Sequence, residues 1–171
     1  MDIKELLLYI DHFNIHYRLL LKRYARFLEI VDVHNTDIDV ITYLDIIVVQ
    51  IRAMCIENPH LKKNYTAQNL LRLMKRSDLA DKIDEMLAEK FFSYMDGYDV
   101  RKAIKIMADN YICHYDSFDI EDLARVELIE KQLRNPYEKH NLKYIMKTIS
   151  DCIGEGLSLD TFKKAIEDND D

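Results

Sequence analysis

The sequence predicts an all-α protein, on three observations. Apolar residues make up 49% of the 171 positions. Turn punctuation is sparse, with three glycines and two prolines. Apolar residues also recur at helical spacing along most of the chain. Sandwiches, barrels and glycine-rich nucleotide folds need many more turns and are excluded on that ground. The length suits one domain with a proper core. No internal repeat or low-complexity linker divides it, so residues 1–171 are read as a single helical domain.

Ile3, Leu6, Leu7, Ile10, Phe13, Tyr17, Leu20, Leu21, Tyr24 and Leu28 keep the 3.6-residue period and predict a long first helix ending near residues 31–35. Thr36 or Asp37 is the expected cap of the next helix. There Ile41, Leu44, Ile47, Val48, Ile51, Met54 and Cys55 make an unusually apolar segment, expected at the centre of the core. Glu57-Asn58-Pro59 ends it, because the residue before a proline avoids helical backbone. Thr66 is expected to cap a helix through Met74, and Ser77 one running through Ile83, Leu87 and Phe91. Asp96-Gly97 reads as a turn, followed by a helix from about Tyr98 to Tyr111. Asp119 with Asp122 resembles a capping box for the following helix. Pro136 interrupts near residue 135, a long segment then runs to Gly154, and Ser158–Asp168 forms a last short helix before an acidic tail at residues 167–171.

Cys55, Cys113 and Cys152 are odd in number and widely spaced, without the pairing of a zinc site, so no metal and no cofactor is expected. Leu6-Leu7-Leu8 is soon interrupted by Asp11 and His12, too brief for a signal peptide. No apolar run approaches the roughly 20 residues that cross a bilayer. A reducing cytoplasm, without membrane attachment, fits these features. The net charge is −7, awkward for a nucleic-acid enzyme because phosphate contacts supply much of the affinity. Basic residues nevertheless cluster at Arg18, Lys22, Arg23 and Arg26, and again at Lys62, Lys63, Arg72, Lys75 and Arg76. The plain reading of each cluster is a solvated helix face.

The most informative stretch is Ala108-Asp109-Asn110-Tyr111-Ile112-Cys113-His114-Tyr115-Asp116. It resembles the signature of the HEPN ribonucleases, many of which are toxins or phage-defence effectors. The abortive-infection branch commonly reads Arg-Asp-Lys-(Tyr/Phe)-Ile-Ala-His-x-Asp. Every landmark is in register except the first, where Ala108 stands in the arginine's place. Asp45-Ile46-Ile47-Val48-Val49-Gln50-Ile51-Arg52 and Asn64-Tyr65-Thr66-Ala67-Gln68-Asn69-Leu70-Leu71 resemble the family's middle helices. Ser117-Phe118-Asp119-Ile120-Glu121-Asp122-Leu123 resembles its closing helix. The likeness therefore spans about residues 37–150, by patterning more than identity.

The resemblance implies an antiparallel helical bundle that forms a homodimer, with RNA as substrate, metal-independent cleavage by ribose 2′-OH attack, and an antitoxin or other regulatory protein as a further partner. Histidine suits the two proton transfers of such a reaction, since its unperturbed pKa lies near neutrality. Arginine suits the phosphorane, because its planar fork meets phosphate oxygens in pairs. On this mapping His114 transfers protons, and Asp109 and Asn110 orient it or hold the helix end. Tyr111 stacks on a base or packs, Asp116 lies near substrate, and position 108 carries the missing cation. The plain alternative makes His114 a structural residue at a helix end and Cys113 a small core residue.

A rival motif lies at Arg134-Asn135-Pro136-Tyr137-Glu138-Lys139-His140, where histidine also follows an arginine by six positions. Pro136 breaks the helical register that would join Arg134 and His140, so the competing reading of Arg134, Asn135 and His140 is a helix–helix turn. Alanine at 108 removes the cation, and loss of such a donor slows reactions by about 10²–10³-fold. The chain is therefore expected to be an inactive or weak ribonuclease. A deliberate exchange explains the intact remainder of the motif. Natural loss would leave a catalytically dead interaction module, and an acidic adaptor or immunity protein binding a protein partner is the third reading.

Overall fold

The computed structural model describes residues 3–31, 38–57, 66–94, 97–112, 120–158 and 160–161. The described residues are helical throughout, joined by turns and one isolated β-bridge between Lys90 and Asp99. They form α1 (Ile3–Val31), α2 (Ile38–Ile51), α3 (Ala67–Leu73), α4 (Ser77–Ala88), α5 (Val100–Lys105), α6 (Ile120–Arg134) and α7 (Leu142–Gly156). Two of them widen into π-helix at their C-terminal ends, α2 over Arg52–Ile56 and α5 over Ile106–Ile112. Thr36, Asp37, Asp119 and most of the expected last short helix and acidic tail fall outside the described residues.

As its apolar sequence predicts, α2 lies at the centre. Val40, Leu44, Ile47, Val48 and Ile51 are completely enclosed. Helix α1 packs along it, α3 pairs with α4, and α4 packs on α7. The π-helical end of α5 lies against both α2 and α6, and Met107 and Ala108 join the core from there. Gly156 packs α7 tightly on α3, since a Cβ there would overlap the Leu71 side chain.

Local capping follows the sequence in part. Thr66 caps α3 by accepting a hydrogen bond from Asn69 N at 3.3 Å, and its carbonyl receives the Tyr9 hydroxyl of α1 at 3.2 Å. Ser77, expected as a cap, is instead the first residue of α4, and the preceding Arg76 occupies the cap position without a side-chain capping bond. The helix expected to reach Phe91 stops at Ala88, and Phe91 and Phe92 enter the core from the turn that follows. Asp99 caps α5, accepting from Lys102 N at 2.6 Å. Gly97 supplies the positive φ of +81° that the turn before it requires.

Helix α3 ends in a Schellman motif: Arg76 N donates to Leu71 O at 2.8 Å and Lys75 N to Arg72 O at 3.0 Å. The left-handed position is held by Lys75 at φ 57°, although glycine adopts that conformation with little cost. Replacing the exposed Lys75 by glycine is expected to stabilise the protein by about 1 kcal/mol. Urea unfolding checks this, and an unchanged or lower midpoint would show that the lysine side chain outweighs the backbone strain.

Candidate functional site

Asp99 starts α5 and the chain runs as a regular helix to Lys105, where the π-turns of residues 106–112 carry the first half of the motif. Such widened turns are often found at functional sites. They set neighbouring residues in opposite environments. Met107 and Ala108 are completely buried, while the Asp109 side chain is one-third exposed. An arginine at 108 in this conformation would bury its guanidinium among core side chains or displace them.

Asp109 reaches across to the π-helical end of α2, where Nε of Arg52 meets its Oδ1. Nη1 of the same guanidinium meets Oε1 of Glu57, the residue that ends this segment. The carboxylate of Asp109, ahead of that of Glu57, raises the Arg52 pKa above its usual value. One guanidinium thus stands beside the motif, supplied from another helix and shared between two carboxylates. For Asn110 and Tyr111 the backbone alone is described, and His114, Cys113 and Asp116 lie outside the described residues.

The rival motif does not converge. Arg134 ends α6 and pairs with Glu130 one turn back at 2.9 Å. Asn135 accepts from Tyr137 N at 3.1 Å, bending the chain at Pro136. Asn141 caps α7 and donates to the Pro136 and Glu138 carbonyls. Arg134 and Asn135 line an open groove of about 870 Å³ with Tyr24, Phe27, Tyr137 and Lys143. His140 turns elsewhere, is 4% exposed, and places Nε2 2.7 Å from Oε2 of Glu89. Glu89 also receives Lys139 Nζ at 2.8 Å and the Tyr144 hydroxyl at 2.6 Å. Partial burial alone would raise the Glu89 pKa, but these three donors outweigh it and hold the carboxyl at about 2. The segment is a tied helix–helix turn.

In the second basic region Arg72 and Arg76 are engaged by carboxylates of the protein, while Lys62 and Lys63 lie outside the described residues. Arg72 binds Asp84 at 2.8 Å and Asp81 at 3.3 Å, and Arg76 binds Asp78 at 2.9 Å and Glu155 at 2.5 Å. Asp84 further accepts from Arg101 at 3.2 Å and Gln68 at 3.1 Å, joining α3, α4 and α5. Cys55 and Cys152 are free and buried. Burial, then the charge of Asp84, pushes the Cys55 thiol to about 12, which makes it a poor nucleophile. Among the described residues no group of three His, Cys, Asp or Glu side chains is placed to hold a metal ion, and no helix is long and apolar enough to cross a membrane.

Comparison with family models, with curated proteins and with solved structures yields no match.

Arg52 is the site residue that motif reading missed, and it shares its helix with a second partly buried charge, Asp45. They stand seven positions apart in a helix otherwise dominated by apolar side chains, which places them on one face. That spacing was the available signal. Burial, and secondarily the Glu130 carboxylate of α6, push the Asp45 carboxyl from 3.8 up to about 6. As pH rises through that interval the unfolded chain releases the proton while the folded one keeps it, so Asp45 progressively destabilises the fold and continues to do so at neutral pH. Asp45→Asn is expected to unfold at higher denaturant concentration than the parent at pH 7, with the difference closing below about pH 4. A difference of constant size across this range, measured by chemical denaturation, would contradict the assignment.

Proposed function

We propose that this chain is a HEPN-type metal-independent endoribonuclease of the toxin or phage-defence class, cytoplasmic and homodimeric, disabled by alanine at position 108. The observation that carries the reading is the polar edge of the motif. Asp109 is held one-third exposed at a guanidinium while the residue before it faces the core. His114, five positions further on, supplies the group that removes the 2′-OH proton and protonates the departing 5′ oxygen. Arg52 brings positive charge beside Asp109 of the motif, yet spends that charge on Asp109 and Glu57. RNA is therefore bound weakly and cleaved slowly.

A second reading is a catalytically dead HEPN module that binds an antitoxin or other regulatory protein. The net charge of −7 and the internal pairing of Arg72 and Arg76 favour it. Cleavage of a single-stranded RNA in EDTA separates the two. The disabled-ribonuclease reading expects slow cleavage that leaves 2′,3′-cyclic phosphate ends and is lost in His114→Ala. It also expects a gain of about 10²–10³-fold in rate for Ala108→Arg where circular dichroism shows that variant folded. Absence of cleavage in both the parent and the folded arginine variant, or cleavage indifferent to His114, would remove the ribonuclease reading and leave the binding module.

A further inference from the structure

Helix α1 carries two histidines outside the candidate site. His12 and His16 stand four positions apart within one uninterrupted helix, and that spacing sets their side chains on one face. Both residues are exposed. Their rings meet edge to face, with centres 4.9 Å apart and planes at 61°. Metal–nitrogen bonds of about 2.0–2.1 Å put the centres of two imidazoles that share one ion roughly 4.5–5.2 Å apart. The pair already stands at the separation such an ion requires, and neither ring has to leave the core to turn a nitrogen toward it.

The surroundings on the helix favour a cation as well. The other residues one turn from either histidine are Leu8, Tyr9, Phe13, Ile15, Leu19 and Leu20. This face of α1 therefore sets no ammonium or guanidinium one turn from either ring. Leu8, Ile15 and Leu19 are themselves exposed beside the pair, and an apolar rim limits the access of water to an ion. We propose that His12 and His16 form a two-imidazole site for a borderline transition-metal dication, of which Zn²⁺ is the type, on the outer face of α1. Imidazole suits such ions, whereas Mg²⁺ and Ca²⁺ take oxygen ligands. Among the described residues no third His, Cys, Asp or Glu joins the pair. The remaining positions of the ion are left to water, which makes the site open and exchangeable rather than a closed structural one. The bridge ties one turn of α1 to the next, and an ion held only by the folded chain stabilises it. This site stands apart from the motif and does not rest on the RNA reading.

Titration calorimetry of the full chain, stripped of metal and then titrated with ZnCl₂, tests the site. Binding of Zn²⁺ is expected, with a rise in Tm on saturation. His12→Ala and His16→Ala are each expected to weaken binding by at least about tenfold and to remove the rise in Tm. All substituted positions are exposed, and unchanged circular dichroism without metal checks that the variants fold. His16→Ala combined with Arg18→His keeps the number of histidines but sets the second ring on another face. That double variant is expected to bind as weakly as His16→Ala alone. MgCl₂ is expected to give neither binding nor a rise in Tm. No binding to the parent would overturn the proposal. Zn²⁺ binding that survives loss of either ring, that Arg18→His restores, or that Mg²⁺ matches would mean an adventitious ion only, and would equally overturn it.

Discussion

Arg52 stands where the most apolar helix of the molecule meets the motif, and the arrangement of that region depends on what its guanidinium binds. Burial of Leu44, Ile47, Val48 and Ile51 fixes the axis and rotation of α2, which leaves Arg52 at a half-enclosed rim. A charge in such a place needs a partner, since an unpaired one costs several kcal/mol. Asp109 supplies it from the widened end of α5, and Glu57 from the end of the arginine's own segment. The ion pair therefore sets which side of the π-turns faces outward. With Asp109 drawn to the rim, Ala108 is turned into the core.

The same economy governs the rest of the charged surface. Asp84 gathers Arg72, Arg101 and Gln68, and Glu89 gathers Lys139, His140 and Tyr144. Each hub ties elements that the hydrophobic core alone would leave free to slide, since burial is non-directional and hydrogen bonds are not. The consequence for function is that several arginines prominent in the sequence are already engaged by carboxylates. A phosphate would have to displace these partners, and an acidic chain offers little excess positive charge to help it. On the proposed ribonuclease reading, RNA binding would be weakened by this pairing as much as by alanine at 108.

The helices were legible because their apolar residues keep the helical period and because the Thr66 cap and the Gly97 turn have distinctive chemistry. The core position of α2 was legible for the same reason. The widened ends of α2 and α5 were not, since a single extra residue per turn leaves the apolar pattern nearly unchanged over five to seven residues. Ser77 misled as a cap because the Schellman turn at Lys75 already fixes where α4 begins. At the candidate site the register of Ala108 and Asp109 was visible, but the partner of Asp109 was not. It lies 57 positions earlier in the chain, where only the seven-residue spacing of two charges in an apolar helix hinted at it. Arg134 and His140 share the motif's spacing, but the break expected at Pro136 sends them to different neighbours, Glu130 and Glu89.

The most direct measurement is a double-mutant cycle in which Arg52→Met and Asp109→Asn are made singly and together, with unfolding free energies from urea titration at neutral pH. Side chains in direct ionic contact should be non-additive by at least about 0.5 kcal/mol. A coupling of that size or larger is expected, with both single variants less stable than the parent. Additivity within about 0.3 kcal/mol would show that Arg52 does not hold Asp109, and that some other force orients the motif.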